Sequence, residues 1–242
     1  MANLPATIET SVVESMKSPS LIDLTLEVGE VAIDSLLDDG LAKDIPFFGL
    51  IMKANDAVTS ISARIFAAKI YKFLKVIGQT SKEERDRVID DISRKKGGTE
   101  AAGTAILDLI DRLDSEKKPE FVGKLFNACA RRDIAVDEYL RLADIISKVY
   151  LKDIELLSDP HPGGLATSQQ KNIFMANGLM IMGIKNPSRG SESGANMLKI
   201  ASDIYEKPFD LTYKLTRSAA QISLHCFGLD RFSDRGIEGF VS

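Results

Sequence analysis

The middle of this sequence repeats one pattern: a residue that starts a helix, an apolar stripe at helical spacing, and a residue that stops it. Ser81 and Glu84 form a capping box ahead of a charged helix, and the pair Gly97-Gly98 ends that helix. Further apolar stripes follow, and Asp137 is expected to cap one of their helices. Because short polar connections make successive helices antiparallel neighbours, the pattern predicts an N-terminal α-helical bundle or array.

Composition limits the classes of protein that fit this pattern. The chain has 242 residues, 44% hydrophobic and 27% charged, so it can bury a core in one large domain or two modest ones. Its net charge of −4 argues against the basic field of a non-specific nucleic-acid binder. Two cysteines, Cys129 and Cys226, are too few for a disulfide framework or a four-ligand zinc site. The first twenty residues lack the features of a secretory signal, and we expect a cytoplasmic protein.

A change of pattern marks the C-terminal third. Ser158–Gly164, with the sequence SDPHPGG, combines prolines with glycines and is the predicted boundary. Beyond it, Leu179–Ile184 is a continuous apolar run that suits a buried strand, and residues 209–215 alternate between apolar and polar side chains. The predicted organisation is a loose N-terminal arm over 1–20, with a weak first helix there as the alternative, an α-helical domain over 21–158 and a further domain over 165–242.

The order of elements in this last domain carries a resemblance. Thr167 and Gln170 cap a helix that ends in NGLM, and a strand, a polar loop, the strand FDLTYKL and a helix capped by Thr216 follow. This order resembles the second half of a winged-helix domain, with a helix-length insertion between the strands. The resemblance implies a mainly α fold with a C-terminal winged-helix-like α+β part and a small β-hairpin. It also implies DNA contact through the third helix, so the candidate nucleic-acid contacts are Lys171 and Arg189.

The most apolar stretch, Ile45–Ile77, is interrupted by charges, so no uncharged run reaches the roughly 18 to 20 residues of a spanning helix. An amphipathic helix of this kind fits an anionic membrane surface or the groove of a partner. The alternative is a core helix whose long lysine stems reach the surface. The candidate membrane or partner contacts are Phe47, Phe48, Lys53, Arg64, Lys69, Lys72 and Lys75.

No pattern in the sequence points to catalysis. His225 and Cys226 are neighbours in an expected helix, where adjacent side chains point about 100° apart and do not face each other. Asp108, Asp111 and Asp114 are interpreted as a solvated acidic face, since a hard cation needs oxygens from more than one element. Phosphate-loop motifs do not occur, and the segment GSESG has glutamate where a hydrolase needs serine. We therefore predict no catalytic, cofactor-binding or metal-binding residues and no small-molecule substrate.

The segment LLDDGLAKDIPFFG resembles uncharacterised bacterial proteins of unknown function. The resemblance implies a bacterial source, and it says nothing about activity. Together these interpretations predict a non-enzymatic, cytoplasmic helical interaction protein that contacts a protein partner or forms a homo-oligomer. The first alternative is a membrane-active, toxin-like or phage-defence effector that uses residues 45–77 at an anionic membrane surface, as a peripheral membrane protein. The second alternative is a DNA-binding regulator that uses the winged-helix-like part. The third alternative is an enzyme whose site is assembled from residues that lie far apart in the sequence.

Overall fold

A computed structural model describes residues 7–26, 45–53, 61–159, 166–184 and 211–231. The protein is mainly helical with a small two-stranded antiparallel sheet near its C-terminus, which confirms the predicted fold class. The chain divides into two compact units, Met1–Ile154 and Glu155–Ser242. This division falls just before the predicted boundary segment, of which residues 160–164 lie outside the described residues. The predicted domain limits therefore stay a prediction.

The described part of the first unit is helical, and short turns join its helices from residue 61 onward. Its described helices are α1 (Ile8–Lys17), α2 (Leu21–Leu26), α3 (Pro46–Lys53), α4 (Ile61–Ile77), α5 (Lys82–Lys96), α6 (Thr99–Asp111), α7 (Lys118–Ala130) and α8 (Val136–Lys148), and α9 (Leu151–Glu155) spans the division. α5 packs against α6, α7 packs against α8, and α4 lies on α7. The predicted capping box of Ser81 and Glu84 starts α5, and Gly97 ends it with a φ of 92°.

α1 belongs to the core of this unit. It packs along α6, and the two backbones approach so closely at Gly103 that a Cβ there would clash with the Glu9 carbonyl. Its buried apolar side chains are Val12, Val13 and Met16. The expectation of a loose arm is therefore wrong for residues 7–20, because these side chains form an apolar face that α6 covers. Residues 1–6 lie outside the described residues.

A buried arginine fastens α1 to α5. Arg85 is 2% exposed, and its Nε donates a hydrogen bond to the Met16 carbonyl at 2.8 Å. Nη2 donates to the Ser18 carbonyl at 2.7 Å, and Nη1 donates to the Thr80 carbonyl. Burial lowers the pKa of this guanidinium. The guanidinium thus donates to carbonyl oxygens at and just beyond the C-terminus of α1. A cation is favourable at this end of a helix because the helix dipole is negative there.

The second unit contains the sheet. Its described elements after the 3₁₀ turn Leu156–Ser158 are α10 (Ser168–Ala176), β1 (Met180–Ile184), β2 (Leu211–Leu215) and α11 (Arg217–Phe227). β1 and β2 pair antiparallel, with Met180 opposite Leu215. The apolar run and the alternating run form strands as predicted, but the expected burial of the first strand is wrong, because Ile181 is 39% and Met182 is 54% exposed. Thr216 caps α11 as predicted, and Gly228 ends that helix. Residues 185–210 lie outside the described residues, and the winged-helix resemblance stays a prediction.

Candidate interaction groove

The first unit has a concavity of about 740 Å³ between the second half of α5, the end of α7 and the start of α8. We call it the groove. Its buried floor consists of Val88, Cys129, Ile134 and Val136. Its charged lining consists of Arg87, Asp91, Arg94, Lys95, Arg132, Asp133 and Asp137. An apolar floor inside a charged, exposed rim is the usual anatomy of a protein contact surface.

The turn after α7 shapes one wall of the groove. The Arg132 N–H donates to the Cys129 carbonyl at 3.0 Å, and the Asp133 N–H donates to the Ala128 carbonyl at 2.9 Å. These two bonds form a Schellman motif, whose left-handed position normally holds glycine or asparagine. Here that position is Arg132, with a φ of 68°. Holding a residue with a Cβ in this conformation costs on the order of 1 kcal/mol.

α8 begins at the edge of the groove, and no side chain caps its N-terminus. Its N-cap is Ala135, so the prediction that Asp137 caps this helix is wrong; Asp137 lies two residues beyond the N-cap, in the first turn. There its carboxylate reaches across to Lys95 Nζ at 2.8 Å. This ion pair links α5 to α8 over the groove, while a negative charge in the first turn also suits the helix dipole.

The cations of the rim differ in how they are held. Arg87 donates from Nη2 to the Ala130 carbonyl at 2.6 Å, at the C-terminus of α7. Arg94 pairs with Asp91, one turn earlier on α5. The exposed Arg132 side chain has no hydrogen-bond or ion-pair partner in the part of the chain that the structure describes. Arg132 is therefore the rim cation that no internal contact occupies.

Cys129 gives the floor a thiol but little reactivity. Burial and, to a smaller extent, the Asp91 carboxylate together raise its pKa to about 11, although Arg87 opposes this shift. The thiol therefore stays protonated at neutral pH, and a protonated thiol is a poor nucleophile. Burial also raises the pKa of Tyr139, whose hydroxyl lies in the core of this unit. The floor of the groove thus offers a packing surface.

The two phenylalanines predicted as membrane or partner contacts are core residues. Phe47 is 0% exposed and Phe48 is 2% exposed, and their rings meet edge to face with centroids 5.3 Å apart. The Phe47 N–H donates to Ser15 Oγ on α1 at 2.8 Å. In this structure they form no contact surface, because α3 packs against α1. This arrangement matches the core alternative.

The basic residues of the same stretch are engaged within the unit. On α4, Lys69 Nζ donates to the Asp111 carbonyl at 3.1 Å, and Lys72 Nζ pairs with Glu116 Oε2 at 2.9 Å. Lys75 Nζ lies 5.9 Å from the centre of the Tyr71 ring. We call Lys69, Lys72 and Lys75 the α4 lysines. Arg64 is exposed near the start of α4, and the side chain of Lys53 lies outside the described residues.

The predicted nucleic-acid contacts do not come together in the described residues. Lys171 Nζ lies 4.8 Å from the centre of the Tyr213 ring, so this cation rests against β2. Arg189 lies outside the described residues. A lysine held on a neighbouring ring is poorly placed to neutralise a phosphate, which weakens the case for DNA contact through α10.

The other residue clusters also have internal contacts. His225 Nε2 lies 2.8 Å from Gln221 Oε1, one turn earlier on α11, and Cys226 is buried. Asp114 Oδ1 pairs with the buried Lys118 Nζ at 2.6 Å. Within the described residues, no three metal-ligating side chains gather. None of the described helices is both long and apolar enough to cross a membrane.

Sequence reasoning missed the groove, although it left a trace. Two basic runs occur where helices end, Arg94–Lys96 at the end of α5 and Arg131–Arg132 after α7. The sequence does not show which helices become neighbours, so it does not show that these two helix ends come together.

A scan of protein-family models finds no match to this chain, and searches of curated proteins and of solved structures find none either.

Proposed function

We propose that this chain is a non-enzymatic helical interaction protein whose contact surface is the groove. The observation that supports this proposal is the combination of a buried apolar floor and an exposed charged rim in one concavity. Protein interfaces share this arrangement, and a few residues at their centre supply most of the binding energy. The partner is another protein or a second copy of the chain, and the bacterial, cytoplasmic setting expected from the sequence belongs to the same proposal.

The chemistry of the lining favours binding over catalysis. Cys129 is held as a thiol, as its raised pKa of about 11 implies. Asp91 and Asp137 are each engaged by a cation of the rim. Exposed ion pairs of this kind contribute up to about 1 kcal/mol each, so a partner can exchange them at small cost. A surface that rearranges its ion pairs suits a protein contact.

Site-specific photo-crosslinking tests this role. A photoreactive amino acid replaces Arg94 on the rim or, as a matched control, Arg112, an exposed arginine outside the groove that pairs with Asp144 at 3.5 Å. We expect a discrete crosslinked species from the groove position and none from the control. That species is identified by mass spectrometry and its binding is measured with purified components.

The purified complex then separates a groove contact from an accidental one. The double variant Arg94→Glu with Lys95→Glu should bind the partner much more weakly, because it reverses charge on the rim. Arg112→Glu should not weaken binding, because Arg112 lies outside the groove. Equal crosslinking from both positions, or equal affinity of both variants, would show that the groove is not the contact surface.

A further inference from the structure

We propose that the groove recognises an acidic segment of its partner, with an apolar side chain between carboxylates, and that Arg132 determines this specificity. The inference rests on the proposed contact role of the groove and adds the chemistry of the partner. Three observations carry it: a local excess of cations, the state of Arg132, and the composition of the floor.

Cations outnumber carboxylates by one in the lining of the groove. The cations are Arg87, Arg94, Lys95 and Arg132, and the carboxylates are Asp91, Asp133 and Asp137. Asp91 and Asp137 are paired with Arg94 and Lys95, and Asp133 is paired with Arg131 beside the groove, so each of these carboxylates is already neutralised by a cation. The charge that remains for a ligand is positive, although the whole chain has a net charge of −4, and it attracts a segment of negative charge.

Arg132 is the cation best placed to read a carboxylate. Two backbone hydrogen bonds to α7 fix its left-handed main chain, while its exposed guanidinium has no partner in the described part of the chain. A guanidinium binds a carboxylate through two parallel hydrogen bonds, which gives orientation as well as attraction. An unfavourable backbone conformation at a residue without an internal contact is typical of functional sites.

The rest of the lining favours a peptide over a nucleic acid. Val88, Ile134 and Val136 are buried and form an apolar surface that suits an aliphatic side chain. Among the described residues, the groove lining contains no aromatic ring on which a base could stack. Its three carboxylates would also repel a continuous phosphate backbone, whereas a peptide places its charges singly. The partner class is therefore an acidic peptide segment.

Fluorescence anisotropy with the purified full-length chain tests this specificity. The labelled probes are a peptide with leucine flanked by glutamates, its counterpart with lysines, its counterpart with alanine in place of leucine, and an oligothymidylate. We expect the glutamate–leucine peptide to bind about tenfold more tightly than the others, and its affinity to fall as salt screens the charges. Arg132→Gly should weaken that binding about tenfold, and Arg132→Glu should weaken it further.

Arg112→Glu is the matched control, and it should leave the affinity within about twofold, since Arg112 lies outside the groove. Arg132→Gly relaxes the left-handed position, so it should fold, and a thermal melt checks each variant. Equal binding of the acidic and basic peptides, or a loss with Arg132→Gly no greater than with Arg112→Glu, overturns the proposal. Tightest binding of the oligothymidylate overturns it in favour of nucleic acid.

The two proposals fail in different ways. A crosslinked partner that depends on Arg94 and Lys95, together with no preference for the acidic peptide, removes the acidic specificity and keeps the contact role. Absence of a groove-specific crosslink together with absence of peptide binding removes both.

Discussion

The α4 lysines and the groove cations show two uses of positive charge within one unit. Each α4 lysine meets a group inside the unit: the Asp111 carbonyl, the Glu116 carboxylate or the Tyr71 ring. Arg132, by contrast, has a left-handed backbone and no side-chain partner among the described residues. A cation that already has a partner holds the fold together, whereas one without a partner beside a concavity can bind a ligand. The difference lies in tertiary neighbours, which charge and spacing alone do not reveal.

The largest effect should come from the core of the stretch 45–77. Phe47→Ala removes a fully buried ring and should lower the free energy of unfolding by about 3–5 kcal/mol, measured by urea denaturation. Ile61→Ala is the control, because Ile61 is 77% exposed and should change stability by less than about 0.5 kcal/mol. Similar losses in the two variants would mean that Phe47 is not held in a core.

A smaller loss is expected when the α4 lysines are reversed. Lys69→Glu, Lys72→Glu and Lys75→Glu together remove one carbonyl contact, one ion pair and one ring contact, and should cost about 1–2 kcal/mol. Because these lysines are engaged, the wild-type protein should not float with anionic vesicles at moderate salt. Flotation with anionic but not neutral vesicles, abolished in the triple variant, would contradict this and favour the membrane alternative.

Arg132→Gly should stabilise the protein by about 1 kcal/mol while it weakens the proposed ligand binding, since glycine relaxes the left-handed position. Arg131→Gly is the comparison variant: Arg131 has a φ of −78°, so glycine relieves no strain there, raises the entropy of the unfolded chain and removes the exposed ion pair with Asp133, and it should destabilise by about 1 kcal/mol. Thermal and urea unfolding of both variants measure the difference. A lower stability for Arg132→Gly than for Arg131→Gly would show that Arg132 is not strained.

The smallest effect concerns Cys129 and appears only at high pH. Burial raises its pKa from 9.0 to about 11, so the unfolded chain loses the thiol proton first. The stabilising contribution is therefore complete below pH 9 and declines as pH rises from 9 to 11. Alkylation of Cys129, followed by mass spectrometry in folded and urea-unfolded protein, should show slow labelling of the folded thiol near pH 8. Equal rates in both states would indicate an accessible thiolate.

Local chemistry made much of the fold predictable. Ser81 starts α5 because its side chain accepts a hydrogen bond from an N–H of the first turn, and Gly97 ends it because glycine readily adopts the left-handed conformation. Thr216 and Gly228 act in the same way at α11. The two strands were predictable because Leu179–Ile184 is a continuous apolar run and because side chains alternate along residues 209–215. Such signals act over a few residues, and sequence shows them directly.

The groove and the role of α1 were not predictable in the same way. The groove joins residues of three helices, and nothing in the sequence ARRD shows that Arg132, instead of a glycine, takes the left-handed position. Spacing identified an apolar face around Phe47, but it does not show that α1 covers this face. Both features depend on which helices become neighbours.

The contact between α1 and α6 at Gly103 also bears on how the chain folds during synthesis. α1 leaves the ribosome long before α6, so it has only part of its native partners, α3 and α5, until Gly103 has emerged. Closing so long a segment costs entropy before any contact offsets it, which slows folding. Val12, Val13 and Met16 lack the cover of α6 in the meantime and are apolar surfaces that a chaperone can bind. The first described helix therefore completes its packing only after α6 has left the ribosome.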